Sequence, residues 1–153
     1  MQIVILAAGL GSRLGKGMPK ALVEVAGRTM LEYQVEWTRN FSPDRTIVIS
    51  GYHHEEMKSF CEKKFPFVEV IENKRYSEQN LYSLLSAEQF LNEDTLIMNV
   101  DHIYPESFAV RVSPLLNEVS QFAIFADTER KLTDDDMKVL ISSDGYVEKI
   151  SKK

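Results

Sequence analysis

The chain has 153 residues, of which 44% are hydrophobic, and a formal charge of −5. This composition fits one domain with an apolar core, and the negative charge argues against nonspecific binding to nucleic acid or to an anionic membrane. No apolar run approaches the roughly 20 residues that span a bilayer, and no cationic segment precedes the first strand, so we expect a cytoplasmic protein without a signal peptide. The single cysteine, Cys61, excludes an internal disulfide, and we assign it no catalytic role.

The first predicted element is a buried parallel strand at 2–6. A loop follows that has four glycines within positions 9–17, three cations and no acidic residue; the cations are Arg13, Lys16 and Lys20. Backbone N–H groups in a glycine-rich loop can form a concave anion site, and phosphates bind beyond the carboxyl ends of parallel strands. From these residues alone, a plain turn into a helix remains an alternative.

Strands and helices are predicted to alternate through the next part of the chain. The pattern gives an amphipathic helix over 27–40, a strand at 45–50, a helix over 53–64 and a strand at 67–71. Short connections between such elements make the strands parallel. We therefore predict an α/β fold, a Rossmann-like three-layer α/β/α arrangement with a mainly parallel central sheet.

The second half continues with a polar loop at 72–80 and a helix over 81–91. We expect the apolar side of this helix to pack inward, namely Leu81, Leu84, Leu85, Phe90 and Leu91. The next strand, 94–100, is nearly all apolar, and we expect it at the centre of the sheet. The remaining predicted elements are a helix at 105–116, a strand at 121–126, an acidic turn at 134–136 and a hairpin at 137–150 with an Asp-Gly turn.

Asp101 follows the predicted fourth strand and so lies on the same rim of the sheet as the glycine loop. Mg²⁺ is typically bound by one or two protein carboxylates together with phosphate oxygens, which makes Asp101 a candidate metal ligand. A cap of the following turn is the alternative for its side chain. We expect His102 to point away from Asp101 and to be structural rather than catalytic.

Arg13 and Lys20 suit different roles towards phosphates. The planar guanidinium of Arg13 can contact two phosphate oxygens at once. The ammonium group of Lys20 is a point charge, which suits the negative charge that develops at a phosphorus under attack. Either residue alone could equally be a solvated surface cation.

The order Leu-Ala-Ala-Gly-x-Gly-x-Arg-Leu at 6–14, followed by Pro-Lys-Ala-Leu at 19–22, resembles the signature of the sugar-nucleotidyltransferase superfamily. These enzymes join a nucleoside monophosphate to a phosphorylated acceptor. The resemblance implies catalysis by Arg13, Lys20 and Asp101, with Mg²⁺ on Asp101. It also implies a nucleotide site formed by Leu6, Ala7, Ala8, Gly9, Gly11, Ser12, Arg13, Lys20, Gly51, Asn80 and Ser83. For Asn80, plain N-capping of a helix is the alternative.

Within the superfamily, Asn80 with Tyr-Ser-Leu at 82–84 looks like the cytidylyltransferase branch. The short gap between Arg13 and Pro19 and the segments 99–104 and 127–129 resemble inositol-1-phosphate cytidylyltransferases. This implies transfer of CMP from CTP to inositol 1-phosphate, giving CDP-inositol and pyrophosphate, with the acceptor bound by Asp127, Lys152 and Lys153. The alternatives are a phosphocholine cytidylyltransferase, a sugar-1-phosphate nucleotidylyltransferase of the same fold, and a non-catalytic nucleotide-binding relative.

We expect residues 1–153 to form a single nucleotidyltransferase domain that lacks its C-terminal portion. The family's domains are longer, and a second metal-binding aspartate follows the segment that resembles 144–150. A chain of this length is therefore expected to bind CTP with Mg²⁺ but to turn over slowly.

Overall fold

The structure, a computed structural model, describes residues 1–9, 17–78, 80–119, 122–134 and 136–152. Two compact units follow one another along the chain, Met1–Leu116 and Asn117–Lys153. Most of the predicted glycine loop, residues 10–16, lies outside the described residues.

The first unit alternates strands and helices. In chain order it contains β1 (Gln2–Leu6), a 3₁₀ turn (Lys20–Leu22), β2 (Glu24–Val25), β3 (Arg28–Thr29), α1 (Met30–Thr38), a 3₁₀ turn (Arg39–Phe41), β4 (Arg45–Ser50), α2 (His54–Lys64), β5 (Val68–Glu72), α3 (Asn80–Leu85), a 3₁₀ turn (Glu88–Phe90), β6 (Thr95–Asn99) and α4 (Glu106–Leu116). The short strands β2 and β3 pair as a separate antiparallel ribbon.

The central sheet has four strands in the order β5-β4-β1-β6, and all neighbours are parallel. The predicted α/β fold with a parallel sheet is therefore confirmed. The prediction that β6 is central is wrong, because β6 lies at an edge of the described sheet and Ile97 is 36% exposed. An apolar run favours burial of a strand's two faces, but it does not determine whether the strand has neighbours on both sides.

The core lies on both faces of the sheet, because successive side chains of β1 point in opposite directions. On one face Ile3 and Ile5 belong to a buried cluster with residues of α1, α2 and α4. On the other face Val4 belongs to a second cluster with β4 and with Ala87, which follows α3. The sheet is thus flanked by helices on both faces, as predicted.

A capping box fixes the start of α1. The Thr29 hydroxyl accepts a hydrogen bond from the Glu32 backbone N–H, and the Glu32 carboxylate accepts one from the Thr29 backbone N–H. The helix therefore begins at Met30, three residues later than the predicted start. Glu32 is buried, and Lys64 at the end of α2 pairs with it.

The predicted helix over 81–91 is shorter than expected. It is α3 followed by a separate 3₁₀ turn, and the inward orientation expected for Leu81 and Leu85 is wrong, since they are 59% and 47% exposed. The helix ends at Leu85, so the buried Ala87 fills the position against the sheet instead. Within the described ranges, no helix is both long enough and apolar enough to cross a membrane.

The second unit contains an antiparallel hairpin of β7 (Lys138–Ile141) and β8 (Val147–Ser151). As predicted, its turn uses Gly145, whose φ is +84°. The strand predicted at 121–126 is wrong for the described residues 122–126, which belong to no strand. Phe122, for example, is 84% exposed. These residues have the apolar pattern of a strand, but no described strand pairs with them.

Candidate active site at the carboxyl ends of the strands

Three parallel strands end together and bring the predicted site segments to one rim. The Ala7 N–H donates to Ile49 O at 2.8 Å, and the Val100 N–H donates to Leu6 O at 3.1 Å. The Tyr52 N–H approaches the carbonyl of Ala8 at 3.4 Å. The segments that follow β1, β4 and β6 are therefore adjacent, at the position where α/β sheets bind ligands.

Lys20 and Asp101 form the centre of this rim. The Lys20 ammonium group donates to Asp101 Oδ2 at 2.6 Å, and both side chains are about one third exposed, at 33% and 36%. Lys20 opens a 3₁₀ turn that is anchored by the buried Ala21 and Leu22. The predicted juxtaposition of the lysine and the aspartate on the same rim is present.

His102 contacts the other oxygen of the same carboxylate. Its Nδ1 lies 2.9 Å from Asp101 Oδ1. The expectation that His102 points away from Asp101 is therefore wrong. The reason is that β6 ends at Asn99 and a turn covers 100–101, so the alternation of side chains along a strand no longer applies.

The electrostatics of the rim keep Asp101 ionised. Partial burial by itself would raise the pKa of Asp101, but the hydrogen bond and charge of Lys20, with a smaller effect from His102, lower this pKa below its ordinary value. Burial, and then the negative charge of Asp101, raise the pKa of Tyr104. Among the described residues, Asp101 thus presents a carboxylate that can bind a divalent cation, and Lys20 presents an ammonium group that can bind phosphate oxygens.

Aromatic packing fixes the segment after Asp101. The ring of Tyr104 stacks on that of His102, with centroids 6.1 Å apart, and it packs against Trp37 at 4.8 Å and Phe108 at 5.4 Å. The Trp37 indole N–H donates to Pro105 O at 3.2 Å. Residues of α1 and α4 therefore hold Tyr104 and Pro105, which follow Asp101 and His102 in the chain.

Gly51, at the end of β4, is a position that only glycine fits. A Cβ atom there would lie 2.8 Å from Tyr76 Cγ and 2.9 Å from Ala8 O. Both distances are too short for a real contact, so the close approach of Tyr76 and of the Ala8 backbone requires glycine. Ala8 and Gly51 were predicted to belong to the nucleotide site, and they are neighbours.

Asn73 links the loop after β5 to the rim. Its N–H donates to Ser50 O at 2.8 Å, and its side chain donates to Ser83 Oγ at 3.0 Å and accepts from the Arg75 N–H at 2.8 Å. Asn73 and Ser83 are 2% and 6% exposed.

Asn80, another predicted site residue, is the first residue of α3. From the sequence, Asn73 and Tyr76 are only parts of the polar loop predicted at 72–80. The available signal for a role is an amide and an aromatic residue just after a strand.

The remaining predicted site residues divide into three groups. Gly9 is described and exposed, whereas Gly11, Ser12, Arg13 and Lys153 lie outside the described residues. Asp127 and Lys152 belong to the second unit. There Asp127 Oδ1 accepts hydrogen bonds from the N–H groups of Glu129 and Arg130, and Lys152 O accepts one from the Lys138 ammonium group. Roles for all of these in a site stay predictions.

The donor set at the rim fits a magnesium ion that is bound mainly through a substrate. Within the described part of the chain, no group of three or more His, Cys, Asp and Glu side chains is placed to hold a metal. Asp101 supplies one ionised, partly exposed carboxylate. Mg²⁺ commonly uses only one or two protein carboxylates and takes its other ligands from phosphates and water.

A parallel sheet flanked by helices, with polar groups gathered where its strands end, defines a Rossmann-like α/β protein. A sequence profile described as the MobA-like NTP transferase domain matches residues 3–140. The chain belongs to this family.

Three known proteins illustrate the similarity. The chain is 39% identical over 127 residues to the bifunctional IPC transferase and DIPP synthase of Rubrobacter xylanophilus, a match that covers 81% of this chain and 28% of that protein. The structure of the inositol-1-phosphate CTP transferase from T. maritima has a TM-score of 0.76 at 18% identity, over 99% of this chain and 64% of the other. The structure of CTP:phosphocholine cytidylyltransferase from Streptococcus pneumoniae has a TM-score of 0.71 at 28% identity, and the match covers 98% of this chain and 63% of the other.

Proposed function

We propose that this chain is the nucleotidyltransferase part of a CTP-dependent cytidylyltransferase that joins CMP to inositol 1-phosphate. The products are CDP-inositol and pyrophosphate. The observation on which the proposal rests is the contact between Lys20 and Asp101 at the carboxyl end of β6, in a member of the MobA-like NTP transferase family.

In the proposed reaction, a phosphate oxygen of the acceptor attacks the α-phosphorus of CTP in line. The bond from that phosphorus to the oxygen bridging to the β-phosphate breaks, and pyrophosphate leaves with the bonding electron pair. No covalent bond to the enzyme forms, so the protein contributes positioning and electrostatic stabilisation.

Lys20 would bind the phosphate that gains negative charge, because its ammonium group lies on the rim and is one third exposed. Asp101 would hold Mg²⁺, which when bound neutralises charge on the phosphate oxygens. Lys20 would then exchange its present hydrogen bond to Asp101 for one to phosphate. Arg13 is proposed as a second phosphate ligand from the glycine loop.

The acceptor is proposed from the relatives and from two tyrosines. The relative in Rubrobacter is named for an IPC transferase activity, and the solved structure from T. maritima for an inositol-1-phosphate CTP transferase. A choline headgroup would need free aromatic faces. The Arg75 guanidinium already lies over the Tyr82 ring at 3.5 Å, and Tyr104 is packed among other rings.

Phosphocholine remains the second candidate acceptor. The observation in its favour is the 28% identity and the TM-score of 0.71 to a phosphocholine cytidylyltransferase. Both candidates use the same rim and the same nucleotide, so they differ only in the acceptor.

The test is pyrophosphate release with each of CTP, UTP, ATP and GTP against inositol 1-phosphate, phosphocholine and glucose 1-phosphate, with Mg²⁺ present. We expect release with CTP and inositol 1-phosphate above every other pair. Release with CTP and phosphocholine would support the second candidate instead. Pyrophosphate release with UTP and glucose 1-phosphate, but not with CTP, would show that the proposed nucleotide and the proposed acceptor are both wrong.

A further inference from the structure

The loop between β5 and α3 places one aromatic side chain against the predicted nucleobase segments. Tyr76 Cγ lies 2.8 Å from the point that a Cβ atom on Gly51 would occupy. Tyr76 also packs against the core cluster that contains Ala8, and its ring centroid is 6.2 Å from that of Tyr52. Tyr76 is only partly buried in the structure.

Hydrogen bonds from Asn73 anchor the start of the loop that carries Tyr76, and an ion pair within the loop restrains its conformation. Asn73 bonds to Ser50 at the end of β4 and to Ser83 in α3. Two hydrogen bonds of 2.7 Å join the guanidinium group of Arg75 to the carboxylate of Glu78. A ring held in this way can act as a wall, because moving the start of the loop would break the buried hydrogen bond between Asn73 and Ser83.

We propose that Tyr76 forms one wall of the nucleobase pocket and restricts that pocket to bases of pyrimidine size. This inference rests on the proposed function, since it takes the base to lie at Ala8 and Gly51. Because residue 51 is a glycine, Tyr76 Cβ and Cγ pack directly against its backbone, which places the Tyr76 ring beside Gly51 and Ala8. A purine has a second ring, for which a fixed wall leaves less room, whereas a pyrimidine can pack against the tyrosine ring.

The magnitude of the effect follows from general values. Packing of a base on an aromatic side chain changes affinity by about fivefold to 150-fold, and a fitted pocket discriminates against extra volume by about 10- to 200-fold. Removal of the ring should therefore weaken CTP binding and also remove most of the preference for pyrimidines.

The test measures the affinities of CTP, UTP, ATP and GTP with Mg²⁺ by calorimetry. The proteins are the unaltered chain, Tyr76→Ala, Tyr76→Phe and the control Phe67→Ala. Phe67 is 51% exposed and precedes β5, at the opposite end of the sheet. We expect the ratio of CTP to GTP affinity to fall at least about tenfold in Tyr76→Ala and to stay within about twofold in Tyr76→Phe and Phe67→Ala.

An unchanged ratio in a folded Tyr76→Ala protein overturns the inference. A second measurement avoids any variant that could be destabilised. Nuclear Overhauser effects are expected between cytosine protons and the Tyr76 ring of the unaltered chain. The ring resonances are assigned by comparison with Tyr76→Phe. The absence of these nuclear Overhauser effects from a CTP-saturated protein also overturns the inference. If the unaltered chain binds none of the four nucleotides, the proposed function is itself wrong. If the unaltered chain binds CTP but Tyr76→Ala keeps the same affinity ratio, only the role of Tyr76 is wrong and the proposed function stands.

Discussion

Lys20 and Asp101 are 81 positions apart in the sequence, and their side chains meet at 2.6 Å. The contact joins the segment that follows β1 to the turn that follows β6. The parallel pairing of these two strands makes it possible, since Leu6 is aligned with Asn99. The lysine proposed to bind phosphate and the aspartate proposed to bind the metal ion are therefore in contact.

Replacing Lys20 by alanine should abolish most of the catalytic rate and leave the fold intact. A charged donor aimed at developing negative charge is worth about 100- to 1000-fold in kcat. Pyrophosphate release by Lys20→Ala should fall by about that factor, while circular dichroism stays unchanged. Lys58→Ala is the matched control, because Lys58 is an exposed lysine on α2. Equal rates in Lys20→Ala and Lys58→Ala would show that Lys20 is only a surface cation.

Asp101→Asn should weaken the response to Mg²⁺. The substitution keeps the size of the side chain but removes the negative charge that a hard divalent cation needs. The Mg²⁺ concentration for half-maximal CTP binding should rise by about tenfold or more. Glu62→Gln, which removes an exposed carboxylate from α2, should leave it unchanged. The same Mg²⁺ dependence in Asp101→Asn and the unaltered chain is the result that excludes Asp101 as the ligand.

The sequence predicted the inner strands of the sheet residue by residue. The observed bounds Gln2–Leu6 and Arg45–Ser50 are the predicted ones. Both strands are buried on two faces and end at a glycine or at small residues, so their apolar run and its end are visible in the chain. The hairpin around Gly145 was predictable for a similar reason, because a residue with φ of +84° favours glycine.

The sequence did not predict features that depend on partners distant in the chain. The apolar pattern at 122–126 favours a strand, but a strand forms only where another strand pairs with it. The direction of His102 depended on where β6 ends, and no glycine or proline marks that end. Leu85 was assigned to the core because periodicity does not show where α3 stops.

Gly51→Ala should destabilise the first unit. The added methyl group would lie 2.8 Å from Tyr76 Cγ and 2.9 Å from Ala8 O, so either the loop or β1 must shift. Overpacking of this kind costs about 1–3 kcal/mol in free energy of unfolding, which urea denaturation can measure.

Two further proteins control this stability measurement. Gly9→Ala should stay within about 0.5 kcal/mol of the unaltered chain, because a Cβ on Gly9 meets no atom of the described residues within 4 Å. The double substitution Gly51→Ala with Tyr76→Gly should destabilise less than the sum of the two single changes, because Tyr76 Cβ, the atom nearest to a methyl group on position 51, is then absent. Unchanged stability of Gly51→Ala would mean that Tyr76 does not pack against position 51.

The stability of α1 should depend on pH through Glu32. Burial by itself would raise the pKa of Glu32, but hydrogen bonds from Lys64 and Thr29 lower this pKa below the ordinary value of 4.5. A carboxylate with a depressed pKa stabilises the folded state above its unfolded-state pKa, and this stabilisation is lost as the pH falls through the folded-state pKa.

The variant Glu32→Gln isolates this charge, because glutamine keeps the capping box. We expect it to be about 1 kcal/mol less stable than the unaltered chain at pH 7, and the difference to shrink below about pH 4. Denaturant unfolding at several pH values measures both. A difference that is constant from pH 7 to about pH 3 would contradict a role for the Glu32 charge.

The most direct test of the proposed function is phosphorus NMR of the reaction products. The chain is incubated with CTP, inositol 1-phosphate and Mg²⁺, and the spectrum is compared with that of a Lys20→Ala reaction. We expect the unaltered chain to give equal amounts of pyrophosphate and of a new diphosphodiester that contains one phosphorus from CTP and one from inositol 1-phosphate. Nucleotidyl transfer from UTP to glucose 1-phosphate under the same conditions, with none from CTP to either candidate acceptor, would contradict it.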